Sequence, residues 1–341
     1  RPLIGEVNRS DLQFDTLSPI NSQNKSSYTL KGTCTSGPVA IALGTAVRLN
    51  LPCTGGRFEK TLNLSGLPDG QLALVGGIAS KKSTTTTSLL KDTDPPLVAV
   101  AVTQAQWINQ STAPLYVVDG TCSEESQPIE VVIGSVSEKG TCAGGAFSVA
   151  LDTTALVDGP LTISAFHSDE AGNTGTGSFA IQKDVVPPAA VLVTGLPSGQ
   201  SATVSPTGTV SGTDVTQYSY LFGPSLTTTC LAVWNYSAAA PIATALSPDL
   251  SSTANGFVRV CVRGADAAGN WMPTSDASST IWEKIAPNIA PAINVTSCST
   301  TASEDIAYAC SPVITDADGP SLTVSFAGTH TCGPWLSVNS T

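Results

Sequence analysis

The sequence has few charges and few of the side chains that carry out common chemistry. Only 12% of the 341 residues are charged, two are histidine, and the formal net charge is −11. No cluster of Lys and Arg occurs, which argues against a nucleic-acid partner because phosphate binding needs clustered cations. The sequence also has no C-x-x-C spacing and no apolar run of about 18 residues. It therefore predicts neither a zinc ribbon nor a helix inserted in a membrane.

No catalytic constellation can be recognised. His167 is followed directly by Ser168 and Asp169, but adjacent residues cannot converge on one proton path as a catalytic triad requires. The G-x-S-x-G turn that exposes a nucleophilic serine is missing too. We therefore expect His167 to be a surface histidine in a turn, and we predict that the chain is not an enzyme.

Two motifs recur along the chain, and the first is a strand followed by a turn. DGPLTISAFHSDEAGN, residues 158–173, returns 97 residues later as NGFVRVCVRGADAAGN. Apolar residues alternate in both copies, which predicts a strand with one buried face. The D-x-A-G-N that follows suits a tight turn, because Asp can accept bonds from nearby amides and both Gly and Asn tolerate the left-handed backbone. An eroded third copy begins at Asp69 and has Ser80 in place of the turn Asp.

The second motif lies upstream in the same units. INSQNKSSYTLKGTC, residues 20–34, matches INQSTAPLYVVDGTC, residues 108–122, at an offset of 88. Repeats of this length correspond to one immunoglobulin-like sandwich each. In the second unit, six strands are predicted near residues 97–102, 115–118, 129–133, 147–151, 161–166 and 175–181.

Pro-bearing joints separate the units. DTDPP at 92–96 and KDVVPP at 183–188 recur at the repeat period, and a third joint ends at Pro291. The predicted fold class is all-β: tandem immunoglobulin-like β-sandwiches joined by short Pro-containing linkers. The predicted divisions are a linker at 1–10, sandwiches at 11–93, 94–186 and 187–287, and a partial fourth domain at 288–341. The fourth is about half a domain, so we expect the natural polypeptide to continue.

The nine cysteines fall mostly in pairs within a repeat. The predicted disulfides are Cys34–Cys53, Cys122–Cys142, Cys230–Cys261 and Cys310–Cys332, with Cys298 unpaired or joined to a part that is missing. Disulfides indicate an oxidising compartment, and hence an extracellular or cell-surface location. Cys261 aligns with Ser164, on the face opposite the buried stripe, so its bridge is expected outside the core.

The D-x-A-G-N turn after an alternating strand, together with the Pro-bearing joints, resembles the tandem bacterial immunoglobulin-like repeats of large surface proteins and adhesins. The last unit is similar to the cadherin-like modules found in the same proteins. Their S-E-D-x-A-Y, D-x-D-G and W-L-x-V patterns match residues 303–308, 316–319 and 335–338. The resemblance implies a sandwich fold and a surface location, and it specifies the role poorly because such folds host many functions.

The sequence offers residues for two kinds of ligand, a calcium ion and a sugar. Acidic residues at the joints and in the last unit offer oxygen ligands for calcium, as in cadherin-like modules: Asp92, Asp94, Asp184, Asp316 and Asp318. The same residues also suit turns, and the first three units have no dense acidic cluster. We therefore predict no required cofactor, and we expect calcium to be dispensable for residues 1–287.

Aromatic rings can stack on the apolar faces of sugars, and the chain has five tryptophans. Trp282 belongs to a predicted last strand and Trp335 to the cadherin-like pattern, so both are interpreted as packing residues. Trp234 and Tyr236, in the irregular front half of the third unit, are the pair expected to form a ligand surface.

Three functions fit these observations. The leading hypothesis is a non-enzymatic extracellular stalk or adhesin segment, a line of sandwiches that presents a binding region away from a bacterial cell surface. The second is a self-associating subunit of an extracellular filament or sheath. The third is a sugar- or receptor-binding ectodomain of a longer protein. The expected partners are accordingly a protein or glycan at a surface, or copies of the chain itself.

Overall fold

The computed structural model describes residues 11–101, 106–294, 313–315 and 317. Regular structure in this part of the chain is β-strand apart from four short 3-10 turns. The 3-10 turns span Ala79–Lys81, Ala113–Leu115, Val233–Asn235 and Thr274–Asp276. The fold is all-β and consists of tandem immunoglobulin-like sandwiches, so the predicted fold class is confirmed. The chain divides into two compact units, Arg1–Val186 (unit 1) and Pro187–Thr341 (unit 2).

The first sandwich of unit 1 consists of two antiparallel sheets. Its strands are β1 (Leu12–Phe14), β2 (Tyr28–Cys34), β3 (Val39–Leu43), β4 (Val47–Leu51), β5 (Arg57–Leu62), β6 (Gly70–Ile78) and β7 (Ser83–Lys91). One sheet has the order β1-β2-β5 and the other the order β4-β3-β6-β7. The polar tract of Ser and Thr forms the first half of β7, because β-branched Thr suits a strand with one exposed face.

The second sandwich of unit 1 repeats this arrangement. Its strands are β8 (Val98–Ala101), β9 (Trp107–Ile108), β10 (Tyr116–Cys122), β11 (Pro128–Ile133), β12 (Val136–Thr141), β13 (Ala146–Leu151), β14 (Gly159–Ser168) and β15 (Thr174–Lys183). The sheet orders are β13-β10-β8 and β12-β11-β14-β15-β9. All six predicted strands form, within a few residues of their predicted ends. β9 and β12 were missed, since β9 has two residues and β12 lacks apolar alternation.

Unit 2 contains the third sandwich and a separate strand pair. Its strands are β16 (Leu192–Thr194), β17 (Gln200–Ser201), β18 (Thr209–Ser211), β19 (Gln217–Pro224), β20 (Ala240–Pro241), β21 (Gly256–Ala265), β22 (Ser278–Lys284), β23 (Ala292–Asn294) and β24 (Val313–Thr315). The sheet orders are β16-β18, β17-β22-β21-β19-β20 and β23-β24. Between β19 and β20 the chain leaves the sheet over residues 225–239, a segment called the excursion below.

Each sandwich buries its own hydrophobic core. The stripe of Val258, Val260 and Val262 on β21 is buried, as its alternation predicts. Trp282 on β22 belongs to the same core, which confirms that it is a packing residue. Large rings fill the centres of the second and third sandwiches, where Tyr116 and Tyr218 are both fully buried.

Several predicted features of the last unit lie outside the described residues, and the cadherin-like resemblance therefore stays a prediction. These features are Cys298, Cys310, Asp316, Asp318, Cys332 and Trp335.

Candidate functional site

The D-x-A-G-N turn between β14 and β15 is held by its own first and last side chains. The Asp169 carboxylate accepts from the Asn173 backbone N–H at 2.7 Å and from Asn173 Nδ2 at 2.7 Å. Gly172 has φ 85°, in the left-handed region that favours glycine. Asn173 does not adopt that region. The sequence interpretation of the final Asn is thus corrected, because Asn173 contributes its side chain and leaves the left-handed backbone to Gly172.

The same turn bonds the first sandwich of unit 1. Asn173 Oδ1 accepts from the Ser22 backbone N–H at 2.8 Å, and Asn173 Nδ2 donates to the Asp92 carbonyl at 3.0 Å. Asn21 Nδ2 donates to the Ala171 carbonyl at 2.9 Å. Asn173 is fully buried, and both hydrogens of its amide are used. Three hydrogen bonds therefore connect the two sandwiches at this joint.

The loop that receives the turn is ordered by its own asparagines. Asn21 Oδ1 accepts from the backbone N–H groups of Gln23 and Asn24, each at 3.0 Å. Asn24 Oδ1 accepts in return from the Asn21 N–H at 2.8 Å. This Asx arrangement fixes the Asn21 side chain before the turn binds it. Asn21 is part of the second repeated motif, but no role for it was predicted from the sequence.

The joint is built from strand ends. Asn21 precedes β2 and Asp92 follows β7 in the first sandwich, while Asn173 directly precedes β15 in the second. The linker packs closely beside it, since a Cβ at Gly175 would lie 1.8 Å from the Pro96 carbonyl oxygen. Within unit 1 the two sandwiches therefore meet end to end.

A buried lysine ends the last strand of each sandwich. Lys91, Lys183 and Lys284 are 3%, 2% and 7% exposed. Lys91 is paired with Asp69, and Lys183 Nζ lies 2.8 Å from Asp158 Oδ1. We call each lysine and its partner a latch.

The third latch differs in its partners. Lys284 Nζ donates to the Thr253 carbonyl at 2.8 Å and to Asn255 Oδ1 at 3.3 Å. Among the residues that the structure describes, no carboxylate lies within ion-pair distance of this ammonium group. None of the three latches was predicted from the sequence. The Asp-Gly or Asn-Gly that opens each repeated strand could have indicated them, because its first residue is the partner of the lysine.

The first two latches also fix the start of each linker. Asp69 Oδ2 accepts from the Thr93 backbone N–H at 2.9 Å and from Thr93 Oγ1 at 2.8 Å. Asp158 Oδ2 accepts from the Val185 N–H at 3.2 Å. The hydrogen bond from Lys91, supported by the bonds from Thr93, lowers the pKa of Asp69 to about 2. The pKa of Asp158 is lowered mainly by its bond from Lys183.

His167 is buried, so the prediction of a surface histidine was wrong. The alternation of β14 continues beyond Ala165, which turns the imidazole inward to zero exposure. Its Nε2 accepts from the Glu124 N–H at 3.1 Å, and its Nδ1 lies 3.1 Å from the Pro128 carbonyl. These bonds require the tautomer that carries the proton on Nδ1. The two nitrogens thereby hold Glu124, in the segment before β11, and Pro128, the first residue of β11.

The structure contains the disulfides Cys34–Cys53, Cys122–Cys142 and Cys230–Cys261. Cys261 lies opposite Leu221 in the pairing of β21 with β19 and is fully buried. It does not belong to the core cluster of the third sandwich. Its bridge ties the excursion to the outer face of the sheet.

The two aromatic residues of the predicted ligand surface have different surroundings. Trp234 lies on the 3-10 turn of the excursion and is 96% exposed. The Tyr236 hydroxyl donates to the Cys230 carbonyl at 2.9 Å, and the Arg263 guanidinium lies 4.8 Å from the Tyr236 ring centroid. Tyr236 thus helps to hold the excursion, while Trp234 offers its ring to solvent. Leu226 and Leu231 in the same segment are also exposed.

The acidic joint residues of unit 1 act as turn formers. Asp92 Oδ1 accepts from the Asp94 N–H at 3.1 Å at the beginning of the linker. Over residues 11–101 and 106–186, no three His, Cys, Asp or Glu side chains gather closely enough to hold a metal ion. Within the described ranges the chain also has no helix with the length and apolarity needed to cross a membrane.

No protein-family model matches the chain, and no curated protein matches it. Solved structures do match it. One concerns the host cell surface retention of a 1.5-MDa bacterial ice-binding adhesin; it is 15% identical, covers 80% of this chain and 95% of its own, and has a TM-score of 0.35. A tetra-tandem repeat from the extending region of a large adhesion protein is 21% identical, covers 84% and 76%, and has a TM-score of 0.26. A bacterial immunoglobulin-like domain from the M. primoryensis ice-binding adhesin is 29% identical, covers 26% and 98%, and has a TM-score of 0.23.

Proposed function

We propose that the chain is a non-enzymatic extracellular spacer, a stalk segment of tandem sandwiches that presents a binding region away from a bacterial cell surface. The observation that carries this proposal is the end-to-end joint of unit 1, where Asn21, Ser22 and Asp92 bond to Ala171 and Asn173. We also propose sandwich boundaries at 11–93, 94–186 and 187–287, with the partial domain at 288–341.

A spacer has to keep its ends apart, so its joints must resist bending. One hydrogen bond contributes about 0.5–1.5 kcal/mol net, and three together favour the docked joint by roughly 3 kcal/mol. Such a difference would keep the two ends docked in more than about 99% of molecules, at roughly tenfold per 1.4 kcal/mol. The prolines at 95 and 96 shorten the slack between the sandwiches further.

The location follows from the covalent chemistry. Three disulfides in three sandwiches are typical of proteins exposed to an oxidising environment. The low content of charged residues leaves Ser, Thr and Asn to solvate the strand faces. These features support a position outside the cell or on its surface.

Small-angle scattering of residues 11–186 tests the spacer. A strand of ten residues spans about 33 Å, so two sandwiches with their loops in line should reach a maximum dimension of about 80 Å. A compact globule of the same length would have a radius of gyration of roughly 16 Å. We expect a radius clearly above that value. A radius near the globular one would overturn the proposal.

A second candidate function, binding of a protein or glycan, is favoured by the excursion of unit 2. Trp234, Leu226 and Leu231 are exposed on a segment that a disulfide holds in place. Exposed apolar side chains grouped in this way mark interaction sites more often than chance. Sedimentation of the full chain and glycan binding, each compared with Trp234→Ala, would reveal self-association or a ligand. If Trp234→Ala changes neither, this candidate is discarded.

A further inference from the structure

In all three sandwiches an early segment pairs in parallel with the last strand. β9 runs parallel to β15, β17 runs parallel to β22, and Ile20 forms an isolated parallel bridge with Lys91. All other strand pairs in the described residues are antiparallel. The parallel contact lies in each case where the chain is about to leave the sandwich.

Backbone hydrogen bonds close each contact. In the first sandwich, Ile20 N–H donates to the Leu90 carbonyl at 2.8 Å and Asp92 N–H to the Ile20 carbonyl at 2.8 Å. The donors of the second sandwich are Gln182, to Gln106 at 3.1 Å, and Asp184, to Ile108 at 2.9 Å. In the third they are Glu283, to Gly199 at 3.0 Å, and Ile285, to Ser201 at 3.0 Å.

The direction of these strands decides how they respond to tension. When a chain is pulled at its two ends, the early segment is drawn towards its own beginning and the last strand towards its own end. Because the two run in the same direction, the forces are opposite and lie along the strands. The hydrogen bonds of the contact are then loaded together in shear. An antiparallel hairpin that is pulled apart at its open end loses its bonds one at a time.

The latches and disulfides lie where they support this contact. Lys91 and Lys183, the latch lysines of unit 1, are residues of the parallel contacts themselves, opposite Ile20 and Ile108. Each ties the end of the last strand to the start of the neighbouring strand through Asp69 or Asp158. The disulfides withhold 19, 20 and 31 residues of the three sandwiches from extension.

We propose that each sandwich bears tensile load, and that the parallel contact between its early segment and its last strand is the clamp that resists it. This inference rests on the proposed spacer function, since tension reaches a spacer through whatever its free end holds. The clamp consists of these shear-loaded backbone bonds, with a buried latch lysine beside them.

Single-molecule pulling on the full chain tests the clamp by changing only the direction of force. One set of molecules is held by its two ends. A second set is held by handles introduced at Val157 and Val186, whose side chains are exposed just before β14 and just after β15. This second geometry peels β14 from β15 at their open end. We expect the second sandwich to unfold at a several-fold lower force in that geometry. Equal forces, or a lower force through the ends, would overturn the proposal.

A matched pair of variants isolates the clamp bonds. Gln182 has an exposed side chain and faces Pro160, which has no N–H, across the antiparallel pair. Gln182→Pro removes the donor to Gln106, whereas Gln182→Ala keeps it. We expect only Gln182→Pro to lower the end-to-end force of one unfolding event, with the other sandwiches as internal controls. If both variants or neither lower the force, the clamp is not at this contact.

Reduction of the disulfides shows which sandwich unfolds in each unfolding event of the pulling experiment. The released length should grow by about 65 Å, 70 Å and 105 Å for the three sandwiches, at roughly 3.4 Å per freed residue. Small-angle scattering without applied force tests the spacer function separately. A protein that is elongated in scattering but has a weak clamp would overturn the load-bearing inference and leave the spacer function standing.

Discussion

Asn173 Nδ2 donates to the Asp92 carbonyl at 3.0 Å, so a side chain of the second sandwich is bonded to the first residue of the linker that precedes it. The same amide closes its own turn on Asp169. One side chain therefore fixes both the shape of the turn and its attachment to the neighbouring sandwich. A substitution of Asn173 should therefore affect both the stability of the second sandwich and its orientation relative to the first. A substitution in the first sandwich that removes a bond of the joint should affect the orientation alone.

We expect Asn21→Ala to loosen the joint without unfolding either sandwich. It removes the bond to the Ala171 carbonyl and the side chain that orders the receiving loop. Bent conformations should become populated, so the mean radius of gyration of residues 11–186 should fall. The melting temperature should fall by no more than a few degrees. Asn63→Ala is the control, because the Asn63 side chain accepts a local bond from the Ser65 backbone N–H. An unchanged scattering profile for Asn21→Ala would show that this bond does not hold the joint.

Asn255→Asp should stabilise the third sandwich. It would give the buried Lys284 the carboxylate that Lys91 and Lys183 already have. Since the corresponding carboxylates are partly exposed, the gain in the free energy of unfolding should be about 0.5–1 kcal/mol. Asp158→Asn is the reciprocal change, and it should destabilise the second sandwich by a similar or larger amount. Denaturant unfolding measures both, and a loss of stability in Asn255→Asp would contradict the latch as described.

Acid should weaken the first sandwich through its latch. The pKa of Asp69 is about 2 in the folded protein, below the value near 4 of an unfolded Asp. A carboxyl whose folded pKa is depressed contributes stability that is complete above the unfolded pKa and is lost as the pH falls through the folded one. Unfolding measured from pH 6 to pH 2 should therefore show a loss between about pH 4 and pH 2. Asp69→Asn should flatten this part of the profile, and an equally steep profile would exclude the latch as its cause.

Chelation should leave unit 1 unchanged. Asp92 and Asp94 are engaged in a turn, and no group of three acidic side chains close enough to hold a metal ion lies wholly within the described part of this unit. The melting temperature of residues 11–186 should be the same with EDTA as with millimolar calcium. Magnesium serves as the control for ionic strength. A drop of several degrees on chelation would mean that calcium holds the joint.

The elements that depend on local pattern could be predicted from the sequence. The stripe ending at Val262 and the turn ending at Asn173 are specified by neighbouring residues, since alternation fixes the buried face and Gly172 fixes the turn. The joint could not be predicted, because Asn21 and Ala171 are 150 residues apart and neither has an unusual local context. His167 was misplaced for the opposite reason: its polar side chain suggested a turn, although the strand period continued through it.

In each of the three hydrogen bonds at the joint of unit 1, one of the two partners is a backbone group. The N–H of Ser22 and the carbonyls of Asp92 and Ala171 are supplied by the main chain, and only Asn21 and Asn173 act through side chains. Any residue offers a carbonyl, and any residue except proline offers an N–H. The side chains of two asparagines are therefore the only sequence-specific groups in these three bonds. Neighbouring repeats that keep these asparagines can differ widely in the rest of their sequence and still stack end to end.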